Sequence, residues 1–271
     1  MLVLVVLFSI AVIPAAAWEP TPERDGVKIE IDERRMDQRG LSYTEEETTY
    51  VPLREIAYAL GADTVSWDAK NQTATVTAEG LKIEVAKDQC YLVANGRYLH
   101  VPGLCRGENG IILVPVRTLC KAFGADVQWD QKKKTVYITS GGEPIASGDS
   151  FYDENDVYWL SRIIFAESGG EEFDGQIAVG NVVMNRVESD IFPDTVEGVV
   201  FDSQYGIQFT PAYSGAIYNT PSESCVIAAK LALDGAETVG DSLYFSAACT
   251  SCWASRNREF VIQIDNQNFY A

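Results

Sequence analysis

One acidic side chain stands where an apolar one belongs. Val157, Leu160, Ile164 and Glu167 follow i, i+3, i+7, i+10 spacing, so the pattern predicts a helix whose buried stripe ends in a carboxylate. Ser168-Gly169-Gly170 follows at once and is expected to stop that helix, with glycine available for a left-handed cap. Burial disfavours the charged carboxylate, and the negative end of the helix dipole disfavours it further. A carboxyl group kept protonated near neutral pH is a proton donor, which is what cleavage of a glycosidic bond requires. The ordinary alternative is a solvated glutamate at a helix end; the stripe position separates the two readings.

Composition removes other chemistries. His100 is the sole histidine in 271 residues, and it lies far from this motif. Ser-His-Asp and Cys-His hydrolysis and His-ligated metal sites all need a histidine there. Work around Glu167 therefore falls to carboxylates, hydroxyls and amides, with no cofactor and no metal expected. The net charge of −18 argues against nucleic acid as a partner, because a phosphate backbone calls for a basic patch. Charge is uneven: 18 acidic against 5 basic residues from Asp153 onward, and 21 against 16 before it. The acidic half suits a neutral or sparsely charged substrate such as a glycan.

The elements that must hold Glu167 can be traced along the chain. Residues 2–17 form an apolar run ending in Ala15-Ala16-Ala17, which reads as a secretory signal peptide and a secreted protein. Six cysteines divide three and three, Cys90, Cys105 and Cys120, then Cys225, Cys249 and Cys252. An exported chain can bridge them, and a bond between Cys225 and one of the Cys249/Cys252 pair is the favoured expectation. Val51-Pro-Leu-Arg-Glu-Ile-Ala-Tyr-Ala-Leu-Gly-Ala-Asp63 recurs as Val114-Pro-Val-Arg-Thr-Leu-Cys-Lys-Ala-Phe-Gly-Ala-Asp126. Each copy reads as proline in the first helical turn, a short helix ended by Gly61 or Gly124, and a hairpin. Trp67 and Trp129 are read as packing residues over a sugar-stacking role, and Arg54 and Arg117 as fixing the helix starts over binding ligand. Ser140 to Asp149 is rich in turn formers and marks a linker. Beyond it, Ile177–Val187 is almost wholly apolar and should be a buried helix. Thr220-Pro-Ser-Glu223 reads as a capping box opening a helix to about Asp234, and 242–246 and 259–264 read as strands. The fold class expected is α+β: a small repeat-built α+β domain over 25–140, a linker over 141–150, and a mainly helical domain over 151–271 with a small terminal β-sheet.

The V-P-[LV]-R…G-A…W-D units resemble the stalk domain known from the N-terminus of copper amine oxidases; a single histidine means that no copper is implied. The second half resembles a different family. Glu167-Ser-Gly-Gly-Glu171, then Gly175-Gln-Ile-Ala-Val-Gly-Asn-Val-Val-Met-Asn-Arg-Val187, Gly206-Ile-Gln-Phe-Thr-Pro211, Leu243-Tyr-Phe245 and Ile264 to Tyr270 are similar, in order, to the cell wall hydrolase family of the bacterial spore-cortex-lytic enzymes. That resemblance implies a lysozyme-like, lytic-transglycosylase-like fold, peptidoglycan glycan strands as substrate and Glu167 as the catalytic acid. Ser168 and Gly169 replace the commoner Ala and Arg of the family, and Gln267 stands where His is frequent.

Further site residues come with that resemblance. Glu171 either orients the site as a second carboxylate or caps the next helix. Gln208, Phe209 and Thr210 either line the substrate cleft or serve as ordinary loop packing. Tyr244 offers its hydroxyl to the acid or the sugar, or serves as a core tyrosine. Asn185 and Arg186 bond loop backbone behind the site, and Tyr205, Tyr213 and Tyr218 are available for stacking on sugars. Three functions compete: a lytic transglycosylase acting at spore cortex or vegetative wall, a muramidase that uses water, and a silent wall- or spore-coat-binding protein with the stalk as its wall contact.

Overall fold

The computed structural model describes residues 26–36, 41–204, 206–248 and 251–271. The expected signal peptide at 1–17, Tyr205 and Cys249 lie outside the described residues.

In chain order the N-terminal half forms β1 (Lys28–Ile31), β2 (Arg34–Arg35), β3 (Tyr43–Glu45), β4 (Thr48–Pro52), α1 (Leu53–Ala59), β5 (Thr64–Asp68), β6 (Thr73–Ala78), β7 (Leu81–Ala86), β8 (Tyr91–Ala94), β9 (Arg97–His100), β10 (Arg106–Glu108), β11 (Ile111–Pro115), α2 (Val116–Phe123), β12 (Asp126–Asp130) and β13 (Thr135–Thr139). Period-two alternation drives these strands. In β7, for example, Leu81, Ile83 and Val85 are buried while the residues between them are not. Strands β5 to β9 make an antiparallel meander, and β1 lies parallel beside β13. The two copies of the sequence motif meet in the sheet ordered β10-β11-β4-β3, where Val51 pairs with Val114 across β4 and β11. Each copy then runs through a helix into a hairpin, β5–β6 and β12–β13.

Three local expectations need correcting. Pro52 and Pro115 sit one residue earlier than expected, as extended N-caps rather than in the first turn. Arg54 and Arg117 make no hydrogen bond or ion pair among the described residues and lie exposed, so they do not tie down the helix starts. Trp67 is 45% exposed rather than packed away. The helix ends match the expected glycines, Gly61 (φ 98°) and Gly124 (φ 69°), left-handed positions that cost glycine nothing.

The C-terminal half contains α3 (Gly148–Phe151), α4 (Glu154–Ser168), α5 (Phe173–Val187), α6 (Val196–Val200), α7 (Thr210–Ser214), a 3₁₀ turn (Ala216–Tyr218), α8 (Glu223–Leu233), β14 (Tyr244–Ala247), α9 (Trp253–Asn257), β15 (Phe260–Ile264) and β16 (Gln267–Tyr270). The apolar helix α5 is buried on nearly every face and packs between α4 and α8. Gly180 permits that closeness: a Cβ there would lie 3.0 Å from the Ala232 Cβ and 3.1 Å from the Ile164 Cδ1. Asp153 caps α4 through its side chain. Ser222, not Thr220, caps α8, its hydroxyl accepting from the Cys225 amide. The terminal sheet is ordered β14-β16-β15, so its central strand is one the sequence pattern did not reveal. Cys225 and Cys252 are both free thiols, so no bridge joins them.

The stretch 140–152 is tied to the N-terminal half, and Asp234 joins the two halves. Ile145 and Gly148 donate backbone hydrogen bonds to Ala122 and Asn95. The Asp234 carboxylate, 1% exposed at the end of α8, accepts two bonds from Arg97 (2.7 and 2.8 Å) and one from Lys121 (2.8 Å).

Candidate active site

Glu167 occupies the last turn of α4, and its carbonyl accepts a hydrogen bond from the Gln267 amide of β16 at 3.3 Å. The helix does end here, but the C-cap Gly169 is right-handed (φ −63°, ψ −16°), correcting the expected left-handed cap. Closure of the next turn instead comes from the Glu171 amide donating to the Ser168 carbonyl at 3.0 Å. The Glu167 side chain is partly buried, and among the described residues no donor reaches its carboxylate. Desolvation raises its pKa above the ordinary carboxylate value, opposed more weakly by the Arg186 charge. Burial thus moves the carboxyl toward its protonated form, in the direction the stripe position implied.

Arg186 supplies the counter-charge from the next helix. Only 4% exposed, it donates through Nε to the Leu243 carbonyl (2.8 Å) and lies 4.8–5.7 Å from the ring centroids of Phe192, Phe209 and Tyr244. Burial pulls its guanidinium down to about 10, opposed by Tyr244, Asp202 and Glu167, so it stays charged at neutral pH. Asn185 donates to the Gly240 and Ser242 carbonyls. Both residues thus hold loop backbone as expected. Sequence reasoning missed that Arg186 faces both Glu167 and the buried Asp202; a buried polar position on the largely apolar α5 was the available signal for Arg186.

The remaining candidates fall in different places. Glu171 does not cap α5 with its side chain: Oε2 accepts from the Asn266 amide (3.3 Å) and Nδ2 (3.1 Å), tying the α4–α5 turn to the β15–β16 turn. Gly175 allows this approach, since a Cβ would lie 3.1 Å from that of Glu171. Phe209 is 1% exposed and packs toward Phe245, with ring centroids 6.3 Å apart; it is core, not cleft lining. Gln208 folds back onto the Gly206 carbonyl (3.1 Å), and Thr210 is exposed at the start of α7. Tyr244 is half-buried between Phe192 and Trp253, its hydroxyl accepting from Arg258 at 3.1 Å. Tyr213 and Tyr218 are exposed.

Among the described residues, three buried polar atoms on α5 and β16 lack a protein partner: Nη1 of Arg186, Oε1 of Gln267 and Oδ1 of Asn268. Four clefts elsewhere on the molecule are not lined by Glu167. Among the described residues no group of three or more His, Cys, Asp or Glu forms a metal cluster.

Comparison with known proteins joins these features. Residues 170–270 match the Cell Wall Hydrolase family model, and residues 30–138 match the Copper amine oxidase N-terminal domain model. A spore cortex-lytic enzyme of Bacillus cereus is 38% identical over 104 residues, covering 38% of this chain and 39% of that protein. One from Oceanobacillus iheyensis is 34% identical over 116 residues, covering 42% and 41%. The chain thus spans about two fifths of the length of the curated relatives it matches. The solved catalytic domain of the Bacillus cereus SleB protein is 34% identical, with 44% of this chain and 92% of that one covered at a TM-score of 0.41. The C-terminal half of this chain is a cell wall hydrolase domain, and it follows a domain of the copper amine oxidase N-terminal type.

Proposed function

We propose that this chain is a cell wall lytic enzyme that cleaves the MurNAc–GlcNAc β-1,4 bond of peptidoglycan as a lytic transglycosylase, with Glu167 as its acid and base. The reading divides the chain into a signal peptide at 1–17, a repeat-built stalk over 25–140, a linker over 141–150 and a catalytic domain of lysozyme-like outline over 151–271. Secretion to the wall or spore cortex, and wall contact through the stalk, belong to the same reading. The observation that carries it is the partly buried Glu167 carboxyl, whose proton affinity is raised by burial and whose nearest opposing charge is the buried Arg186.

The sequence of events is as follows. Glu167 gives its proton to the glycosidic oxygen as positive charge develops at the neighbouring sugar carbon, and the bond to the leaving sugar breaks. The new carboxylate is stabilised by the Arg186 charge. It then takes the proton of the same sugar's 6-hydroxyl, whose oxygen closes onto that carbon to give a 1,6-anhydro ring. Protein and proton end as they began. No second carboxylate is needed, because an intramolecular hydroxyl has a high effective concentration. Glu171, with an oxygen committed to Asn266, is a positioning residue in this scheme.

One observation favours a second reading. Asp202, 8% exposed, is another carboxylate that faces Arg186; a muramidase would use it to activate water. Mass spectrometry of digested peptidoglycan separates the two. Anhydro-muramic ends are the expected product, and reducing muramic ends alone would overturn the transglycosylase reading. Intact sacculi after exposure to active-pH protein would favour a silent binding protein instead.

A further inference from the structure

The stalk half holds two clefts that are copies of one another. One, of about 660 Å³, is lined by Val116, Arg117, Val127, Trp129 and Val136 among others; the second, of about 450 Å³, by Leu53, Arg54, Val65, Trp67 and Ala74. These are the same positions in the two sequence copies, brought about by the Val51–Val114 pairing. Each cleft therefore presents an indole from the hairpin's first strand beside an arginine from the first helical turn. Both volumes fall in the range of small-ligand sites.

Packing alone does not account for what lines them. Trp67 is 45% exposed, and Trp129 spends its indole N–H on the Gln131 Oε1 at 2.7 Å, leaving its ring to the cleft. Arg54 and Arg117 lie exposed, with no hydrogen-bond or ion-pair partner among the described residues. A second cation lines each cleft, Lys87 in the smaller and Lys134 in the larger. In the smaller cleft, Oε2 of Glu55 is buried and has no hydrogen-bond partner in the protein, so an acceptor there faces no donor. Two cations and one acid line each cleft, in a chain whose net charge is −18.

We infer that these are paired subsites for a carboxylate-bearing, N-acetylated glycan. The negative face of an indole attracts the slightly positive C–H face of a sugar ring. A guanidinium beside it takes a carboxylate in a charge-assisted, two-bonded geometry that lysine cannot match. In the smaller cleft, Glu55 can receive an amide or hydroxyl proton. Two such sites on one rigid half would hold one glycan layer at two points and raise the local concentration of substrate for the other half. The inference extends the proposed wall contact and does not depend on the role of Glu167.

The test uses the full chain labelled with 5-fluorotryptophan, whose five tryptophans give separable fluorine resonances, those of Trp67 and Trp129 assigned with Trp67→Phe and Trp129→Phe. The probes are an N-acetylglucosaminyl–N-acetylmuramyl peptide, which lacks the MurNAc–GlcNAc bond, and a neutral N-acetylglucosamine oligomer. Both assigned resonances are expected to shift with the peptide-bearing fragment. Arg54→Ala together with Arg117→Ala, checked as folded by thermal unfolding, is expected to weaken that binding by about tenfold or more. Unmoved resonances for Trp67 and Trp129 at saturating fragment would overturn the sites. Equal affinity for the neutral oligomer would overturn the carboxylate assignment. Neither failure touches the cleavage assay.

Discussion

Asp234 and Glu167 are both carboxylates withdrawn from water, and their surroundings differ in kind. Asp234 accepts three hydrogen bonds from Arg97 and Lys121 across the junction of the two halves. Among the described residues Glu167 receives none at its carboxylate, and the counter-charge acting on it, Arg186, is held by a backbone carbonyl and aromatic rings. A carboxylate satisfied on every side is a structural pin; one buried with incomplete compensation holds its proton longer and can give it away. The difference is set by neighbours, since helix-end acids of either kind look alike in sequence.

The comparison breaks most sharply by neutralising each acid. Glu167→Gln removes the proton but keeps the shape, so glycan cleavage should fall by about 10²–10⁴-fold, read as muropeptide release, while the unfolding midpoint holds or rises. Cleavage at native rates would end the assignment. Asp234→Ala should do the reverse: removing one partner strands Arg97, whose side chain is 11% exposed, at a cost of about 3–5 kcal/mol, measured by urea unfolding. Rates per folded molecule on short soluble glycans should change little. A smaller effect is expected behind the site: Gly180→Val must push Ile164 and Ala232 apart, costing about 1–3 kcal/mol, seen as a lower melting temperature.

The smallest effect is a pH-dependent one. The folded pKa of Glu167 is raised above its unfolded value by burial, so its contribution to stability is full below the unfolded pKa and is lost as pH rises through the folded one. The stability advantage of Glu167→Gln over the native chain should therefore grow as pH rises across that window, and cleavage should decline on its alkaline side as the acid loses its proton. A native-minus-variant difference flat with pH would place the Glu167 carboxyl in water.

Much of the arrangement was legible from residue order. The two Val-Pro copies, the glycines that end their helices, the apolar run of α5 and the acid on the α4 stripe each announce themselves through local steric or periodic rules. Other features carried no local signal. The short strands β8 to β10 and β16 are too brief for a clear alternation, and β16 is central only because its neighbours fold over it. Phe209 and Tyr244 sit in matching stretches of sequence, yet one became core and the other a half-buried partner of Arg258.

By itself, then, the order of residues determined where the repeated helix-and-hairpin units and the long helices α4, α5 and α8 form, and that one glutamate falls on an inward-facing stripe. Only the tertiary structure decided that Arg186 faces both that glutamate and Asp202, that Glu171 is spent on a turn, and that Trp67 and Trp129 open onto matching clefts. The reason is range: backbone sterics and periodicity act within a few residues, whereas desolvation and charge pairing depend on groups that only folding brings together.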